Sequence, residues 1–196
     1  MRKLGEALGV DPMTLYRHVR DKNDVLDGAV DAVVGEIDPG APGEGSGDWQ
    51  SAMSNLAQAA RRVMLRHPWV PGVIVERKSV GPATLGHIDR VLGILQAGGF
   101  SIEMAHHALH VLGSRMLGFT QDPFEDSTDP SAEPPPEDVV ARTFAAFPNV
   151  ARLAIAASHS GVLGGCDDDF EFNFSLKLIL DGLERERTSS PADLMR

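Results

Sequence analysis

The sequence predicts an all-α protein, and two observations carry that prediction. Apolar residues recur every three or four positions through most of its 196 residues, which is the spacing of one face of a helix. Residue types that begin or end helices stand at the borders of these periodic segments. Together they predict a bundle of helices joined by short breaks.

The N-terminal residues predict three short helices whose ends are marked by capping residues. Residues 2–8 form the first, which we expect to end at Gly9, because glycine accepts the left-handed backbone of the C′ position. The second is predicted over residues 12–19, with Asp11 as its N-cap and a proline at its first position. The third is predicted over residues 25–37, where apolar residues keep helical spacing over three turns.

A linker separates these helices from a larger helical body. Residues 38–48 are rich in Pro, Gly and Ser, and they predict a boundary between a head, residues 1–37, and a body, residues 49–196. Ser101 is expected to cap the longest helix of the body, and residues 69–82 are expected to be irregular. Helical spacing covers residues 49–67, 85–95, 102–116 and 150–157.

The last apolar segment needs a choice between strand and helix. Residues 170–178 read FEFNFSLKL, and such alternation on its own is typical of a strand. A lone strand in a helical chain would leave its backbone groups unpaired, and a wider window shows two apolar helical stripes, so we predict a helix. Burial on two sides favours a homodimer interface formed by Leu112, Met116, Phe172, Leu176, Ile179 and Leu183.

Charge is unevenly distributed along the chain, although the net charge is −10. Residues 1–22 hold five basic and three acidic residues, a net charge of +2, which leaves −12 on the remainder. Because phosphate contact needs a local basic face, nucleic-acid binding is permitted at the N-terminus and nowhere else.

The composition also excludes several classes of protein. Cys166 is the single cysteine, which excludes an internal disulfide and a cysteine-based zinc cluster. No apolar run approaches the length of about 18 residues that a membrane span needs, and charge interrupts any signal peptide at the N-terminus, so we expect a cytoplasmic protein. No Ser/His/Asp or paired-carboxylate arrangement indicates catalysis; we expect neither an enzyme nor a bound cofactor.

Three segments resemble a known family. Residues 2–30 read RKLGEALGVDPMTLYRHVRDKNDVLDGAV and closely resemble the helix-turn-helix of the tetracycline-repressor family, with its specific Leu-Tyr-x-His-Val core followed by lysine. Residues 97–119 (AGGFSIEMAHHALHVLGSRMLGF) are similar to the long dimer-side helix of that family, and residues 170–186 (FEFNFSLKLILDGLERE) to its last helix. The resemblance implies a repressor that binds operator DNA as a homodimer and is released by a small-molecule effector.

The resemblance also implies roles in DNA binding along the second helix. Pro12, Met13 and Thr14 match the base-contacting start of the family's recognition helix, and Arg17 matches a position that reaches a base edge or phosphate. The positions implied to hold the phosphate backbone are Tyr16, His18 and Lys22. Without the family signature, the same pattern of inward apolar and outward charged residues fits any solvated helix.

The family's head has three helices, and this sequence starts inside the second of them. We expect the true start to lie upstream of Met1, since the residues of the recognition helix are retained. The alternative is a naturally shortened member with a weakened head. A rival function follows from that alternative, namely a ligand-sensing or interaction protein that has lost DNA binding.

The effector positions that the resemblance implies are mostly apolar. They are Leu56, Ala60, His87, Val91, His106, Leu109 and Gly113. Such residues argue against a magnesium-bound tetracycline and favour a mostly apolar ligand with one or two polar anchors, unless they simply fill the core.

His106, His107 and His110 form the one cluster that suggests a metal, because an i, i+4 histidine pair can chelate zinc. No acidic or cysteine residue at an obvious spacing completes a site, so we expect polar histidines and no metal.

Overall fold

The structure is a computed structural model that describes residues 1–40, 48–76, 80–118, 136–157 and 168–189, with the backbone alone at 114–118 and 153–157. Regular structure in these residues is helical throughout, which confirms the all-α prediction. The helices are α1 (Arg2–Leu8), α2 (Pro12–Leu15), α3 (Lys22–Val34), α4 (Trp49–Arg66), α5 (Val70–Glu76), α6 (Pro82–Ala97), α7 (Ile102–Gly118), α8 (Glu137–Ala146), α9 (Pro148–Ala157) and α10 (Asp168–Thr188). The helix predicted over the alternating FEFNFSLKL segment is therefore confirmed.

Local capping determines the ends of the head helices. Gly9 takes the left-handed conformation, with φ of 68°, at the end of α1, and the Asp11 carboxylate accepts from the backbone N–H of Met13 at 2.7 Å. Helix α2 stops at Leu15 rather than at the predicted residue 19, and a hydrogen-bonded turn follows it. The chain is extended at Asp21, the N-cap residue of α3. Helix α3 therefore begins at Lys22, three residues earlier than predicted.

The body contains two helices that sequence reasoning missed. The expectation of an irregular stretch over residues 69–82 was wrong, since α5 occupies Val70–Glu76. Pro71 is its second residue, and a proline in the first turn removes an N–H that has no helical partner in any case. Helix α8 was also missed; its first turn carries Glu137 and Asp138, which suit the positive end of the helix dipole.

Helix α4 lies at the centre of the core. Asp48 caps it by accepting from the N–H of Ser51 at 2.6 Å, and its apolar side faces α6 and α7. Leu56 on α4, Val70 on α5 and Leu95 on α6 are among the most completely buried large side chains.

The start of α4 is also tied to the C-terminal part of α10. The Trp49 indole Nε1 donates to the Glu184 carboxylate at 2.9 Å, and Phe100 meets the Trp49 ring edge-on with centroids 4.7 Å apart. Hydrogen bonds from the Arg187 guanidinium and then from Trp49 lower the pKa of Glu184 to about 2. This cluster holds α4 and α10 together through a charged hydrogen bond at the edge of the core.

The chain divides into two compact units, Met1–Thr120 with Leu176–Arg196, and Gln121–Ser175. These units do not test the predicted boundaries of head, linker and body, which stay a prediction. In the ranges that the structure describes, no helix combines the length and the apolar character that a membrane span requires.

Candidate functional site

A cavity of about 270 Å³ lies in the first unit, surrounded by helices α3 to α7. Its described wall is apolar apart from one threonine and one histidine, and it holds no carboxylate, lysine or arginine. The lining residues are Val34, Ile37, Met53, Leu56, Ala57, Met64, Ile74, Thr84, His87, Ile88, Val91, Leu109, Leu112 and Gly113. A concave apolar space with few polar groups is the usual form of a small-molecule site.

His87 is the one ionisable residue among these lining residues. Its Nδ1 atom is buried and has no hydrogen-bond partner in the described part of the chain. Burial lowers the pKa of His87, and the positive charge of Arg90 lowers it further. The imidazole is therefore neutral at pH 7, with one nitrogen that lacks a partner.

Asp31 on α3 caps the start of α6 from outside that helix. Its carboxylate accepts from the backbone N–H of Ala83 at 3.1 Å and of Thr84 at 2.9 Å, and from the Thr84 hydroxyl at 3.0 Å. Gly81, the N-cap residue of α6, has no side chain, and a Cβ there would overlap the Asp31 carboxylate. Burial acts to raise the pKa of Asp31, but the three hydrogen bonds together outweigh it and lower the pKa.

A second contact joins the same two helices further along the cavity wall. The Arg90 guanidinium of α6 donates to the backbone carbonyl oxygen of Ile37, just beyond α3, at 3.2 Å. Both Ile37 and Thr84 also line the cavity. The wall formed by α3 and α6 is therefore held by polar contacts at two places.

The residues predicted to contact DNA lie in α2, in the turn after it and at the first position of α3. Three of them are exposed, namely Arg17, His18 and Lys22. In the described ranges neither Arg17 nor Lys22 forms an ion pair, whereas the Arg20 guanidinium pairs with the Asp24 carboxylate at 2.8 Å. The remaining predicted residues are Met13 and Tyr16, which are exposed, and Pro12 and Thr14, which are half-buried. The turn and the start of α3 thus present two exposed cations, Arg17 and Lys22, that form no ion pair with any described residue.

The two apolar stripes of α10 differ in exposure. Phe172, Leu176 and Leu183, three of the predicted interface residues, are buried within one chain, and Ile179 is half-buried. The other stripe is exposed, by 61% at Phe170, 51% at Phe174 and 53% at Leu178. The second stripe thus leaves three large apolar side chains exposed.

Comparison with known proteins decides which family this architecture belongs to. Residues 41–187 match the family described as tetracyclin repressor-like, C-terminal domain. The chain belongs to the TetR family. That match covers most of the chain and confirms the resemblance found in the sequence.

Two relatives of this TetR-family regulator are known as transcriptional regulators. The HTH-type transcriptional repressor DrrR1 of Streptomyces coeruleorubidus is 30% identical over 196 residues, which cover 94% of this chain and 69% of that protein. An HTH-type transcriptional regulator of Saccharopolyspora erythraea is 39% identical over 100 residues, which cover 51% of this chain and 42% of that protein. The matched part thus spans less than half of the second protein's length.

One solved structure supports the same TetR assignment, and a second shares the fold. A possible TetR family transcriptional regulator from Streptomyces coelicolor A3(2) is 28% identical with a TM-score of 0.72, covering 94% of this chain and 88% of that one. ActR of Streptomyces coelicolor, solved in complex with actinorhodin, is 22% identical with a TM-score of 0.72, covering 96% of this chain and 88% of that one. The second likeness shows the fold alone.

The structure brings most of the predicted effector residues of this TetR chain to one cavity. Leu56, His87, Val91, Leu109 and Gly113 line it. The other two, Ala60 and His106, are not among the described lining residues, since Ala60 is fully buried and His106 is exposed on α7. Their part in effector binding stays a prediction.

Two further predicted groups fall elsewhere. Leu112, predicted at the dimer interface, lines the cavity, and the side chain of Met116 lies outside the described residues. The His106 and His110 rings meet edge-on at 4.6 Å between centroids, and the described residues contain no group of three or more side chains that could hold a metal ion.

Sequence reasoning missed the contribution of α3 to the cavity. Val34 and Ile37 belong to the apolar residues at helical spacing over residues 25–37, but nothing in that spacing indicates which neighbouring helix they face. A signal for the junction with α6 did exist, because Asp31 is an acidic residue set within the apolar run AVDAVV.

Proposed function

We propose that this TetR-family regulator represses transcription by binding operator DNA as a homodimer and releases the DNA when a small molecule enters the cavity. The course of α3 is the observation that carries the proposal. Its first residue, Lys22, is one of the residues predicted to contact DNA, and its last, Val34, lines the cavity. At a rise of 1.5 Å per residue these positions are about 18 Å apart along one continuous helix.

Release follows from differential affinity rather than from occupancy alone. An effector shifts the protein only if it binds better to an arrangement of α3 in which the two heads no longer match the operator spacing. The ActR complex with actinorhodin supports the binding of small molecules by this fold. Because operator DNA lies with the chromosome, the proposal also places the protein in the cytoplasm.

Different residues of the head serve different parts of the DNA contact. Thr14 and Arg17 suit base edges, since a threonine methyl meets a thymine methyl and arginine pairs with guanine. Tyr16 and Lys22 suit phosphate oxygens. In the part of the chain that the structure describes, Arg17 and Lys22 form no ion pair, which supports this division because neither has such a pair to break before it contacts DNA.

The test is binding of the chain to duplex fragments selected from a random library, at low salt and without effector. Arg17→Ala should weaken the selected sequence by about 1–3 kcal/mol and relax preference at one base pair of each half-site. Lys22→Ala should weaken all sequences alike and lower the salt slope by about one for each phosphate that the lysine no longer neutralises. Arg62→Ala, which removes the same charge from an exposed position on α4, is the matched control and should change neither.

Equal losses on selected and random DNA for both head variants would contradict the division of roles. Failure of the chain to select any sequence would favour the rival function, a ligand-sensing or interaction protein.

The homodimer is assigned to the exposed stripe of α10. Phe170, Phe174 and Leu178 follow one another at a spacing of four residues, and a second copy of the same helix would remove all three from water. Leu178→Asp should convert the dimer into a monomer in light scattering at micromolar concentration. Leu85→Asp changes an equally exposed leucine on α6 and should leave the dimer intact; a monomeric wild-type protein contradicts the assignment.

A further inference from the structure

We propose that the cavity takes an uncharged, largely apolar molecule whose single hydroxyl group hydrogen-bonds to the imidazole of His87. The inference rests on the proposed function in so far as that function places the effector in this cavity. It adds the chemical class of the ligand and the residue that selects it.

The residues that line the cavity disfavour a charged ligand. The lining residues that the structure describes include no carboxylate to neutralise a cation and no lysine or arginine to neutralise an anion. A buried charge without a partner costs several kcal/mol. The ligand must therefore enter as a neutral molecule, and its bulk must be hydrocarbon to match the side chains around it.

The imidazole of His87 supplies the selective contact. A neutral imidazole has one donor and one acceptor nitrogen, and Nδ1 is buried without a partner in the described part of the chain. The ring turns about χ2, which is a broad torsion, so either nitrogen can be brought to a ligand. A hydroxyl group both donates and accepts, and it can satisfy the ring in either tautomer.

Thr84 does not compete for this role. It lines the cavity, but its hydroxyl hydrogen is committed to the Asp31 carboxylate at 3.0 Å. Its oxygen can only accept a further hydrogen bond. Among the described lining residues, His87 is thus the one side chain that can offer a ligand both a donor and an acceptor.

The size of the cavity limits the ligand as well. Its volume of about 270 Å³ lies just below the range of about 300–1,000 Å³ that is typical of pockets for drug-sized molecules. A two-ring hydrocarbon skeleton with one hydroxyl group is a suitable probe.

The experiment measures binding of three matched probes to the full chain by calorimetry at pH 7.5. The probes are 4-phenylphenol, biphenyl and biphenyl-4-carboxylate, which share one skeleton and differ in the polar group. We expect 4-phenylphenol to bind about five- to tenfold more tightly than biphenyl, as one net hydrogen bond provides, and the carboxylate to bind most weakly.

Variants of His87 assign the preference to the imidazole. His87→Leu should remove the preference for the phenol while biphenyl binding is kept, and His87→Gln, which retains a donor and an acceptor, should restore part of it. His107→Leu makes the same exchange at an exposed position of α7 and should leave all three affinities unchanged. Gly113→Leu projects into a space where no heavy atom of the described residues lies within 4 Å of an added Cβ, and it should weaken the phenol and biphenyl alike.

Three results overturn the inference: equal binding of the phenol and biphenyl to the wild type, an unchanged preference in His87→Leu, or no binding of any probe. Operator binding measured on the same samples keeps the two proposals apart. Sequence-selective DNA binding without probe binding removes the ligand assignment alone, whereas probe binding that depends on His87 without any effect on DNA removes the effector function alone.

Discussion

Replacing Asp31 by alanine should lower the melting temperature by about 4–8 °C at pH 7. The change removes three hydrogen bonds to one carboxylate and leaves the N–H groups of Ala83 and Thr84 without their cap. Loss of a single N-cap side chain costs about 0.5–2 kcal/mol, and hydrogen bonds to a charged acceptor at the positive end of a helix lie at the upper end of that range. We therefore expect a loss of about 2 kcal/mol, and each kcal/mol corresponds to about 2–4 °C in a chain of this size.

The same carboxylate predicts a pH dependence whose sign is fixed by its lowered pKa. Because the pKa of Asp31 is lower in the folded protein than the value of about 3.9 in an unfolded chain, its stabilisation is present above pH 4. It is lost as the pH falls toward the folded pKa. Asp31→Asn keeps an acceptor and loses the charge, so it should cost about half as much as alanine at pH 7, and its deficit should shrink below pH 4.

Scanning calorimetry at several pH values between 7 and 3 measures both effects. Asp89→Ala is the matched control, since Asp89 is an exposed carboxylate on α6 itself, and we expect it to change the melting temperature by less than about 2 °C. An Asp31→Ala variant that melts at the wild-type temperature, or an Asp31→Asn deficit that is the same at pH 3 as at pH 7, would contradict the capping role of Asp31.

Three further substitutions test other parts of the first unit. Gly81→Ala should displace the Asp31 carboxylate. In urea unfolding, the double variant of Gly81→Ala and Asp31→Ala should therefore lose less free energy of unfolding than the sum of the two single losses. Glu184→Gln should make the free energy of unfolding depend less on pH. The wild-type advantage over this variant is present above about pH 4.5 and is lost as the pH falls toward about 2, the pKa of Glu184 in the folded protein. A variant with the pH profile of the wild type contradicts this. Leu95→Ala, at a fully buried position, should lower the free energy of unfolding by about 2–5 kcal/mol, and a loss below 1 kcal/mol contradicts the packing.

Features that depend on neighbouring residues could be predicted from the sequence. Gly9 ends α1 and Asp11 begins α2 as expected, and Ser101 caps α7 by accepting from the N–H of Met104 at 3.2 Å. Each of these depends on a backbone conformation or a side chain within three positions. The prediction of a helix rather than a strand for residues 170–178 has a different basis. The sequence offers no second strand with which such a strand could pair its backbone groups.

Features that depend on distant residues could not be predicted. Asp31 and Thr84 are 53 positions apart, and the three hydrogen bonds between α3 and α6 exist only once those helices have packed. The exposure of the α10 stripes has the same origin, because the helical wheel shows two apolar faces and cannot say which of them the chain itself covers. Phe172 and Phe174 are alike in sequence terms, yet one is 3% exposed and the other 51%.

The position of the cavity shows how little separates a filled core from a binding site. Two small residues stand among the predicted effector positions: Gly113 lines the cavity, whereas Ala60 is fully buried and Ala57, one turn earlier on α4, lines the cavity in its place. A rotation of α4 about its own axis by a fraction of a turn exchanges these two positions. That rotation is set by larger side chains such as Met53 and Leu56, and by the anchoring of Trp49 to the end of α10. The chemistry of the ligand follows from the whole wall rather than from α4 alone, because no carboxylate, lysine or arginine is present among the described lining residues on any of the five helices that form it.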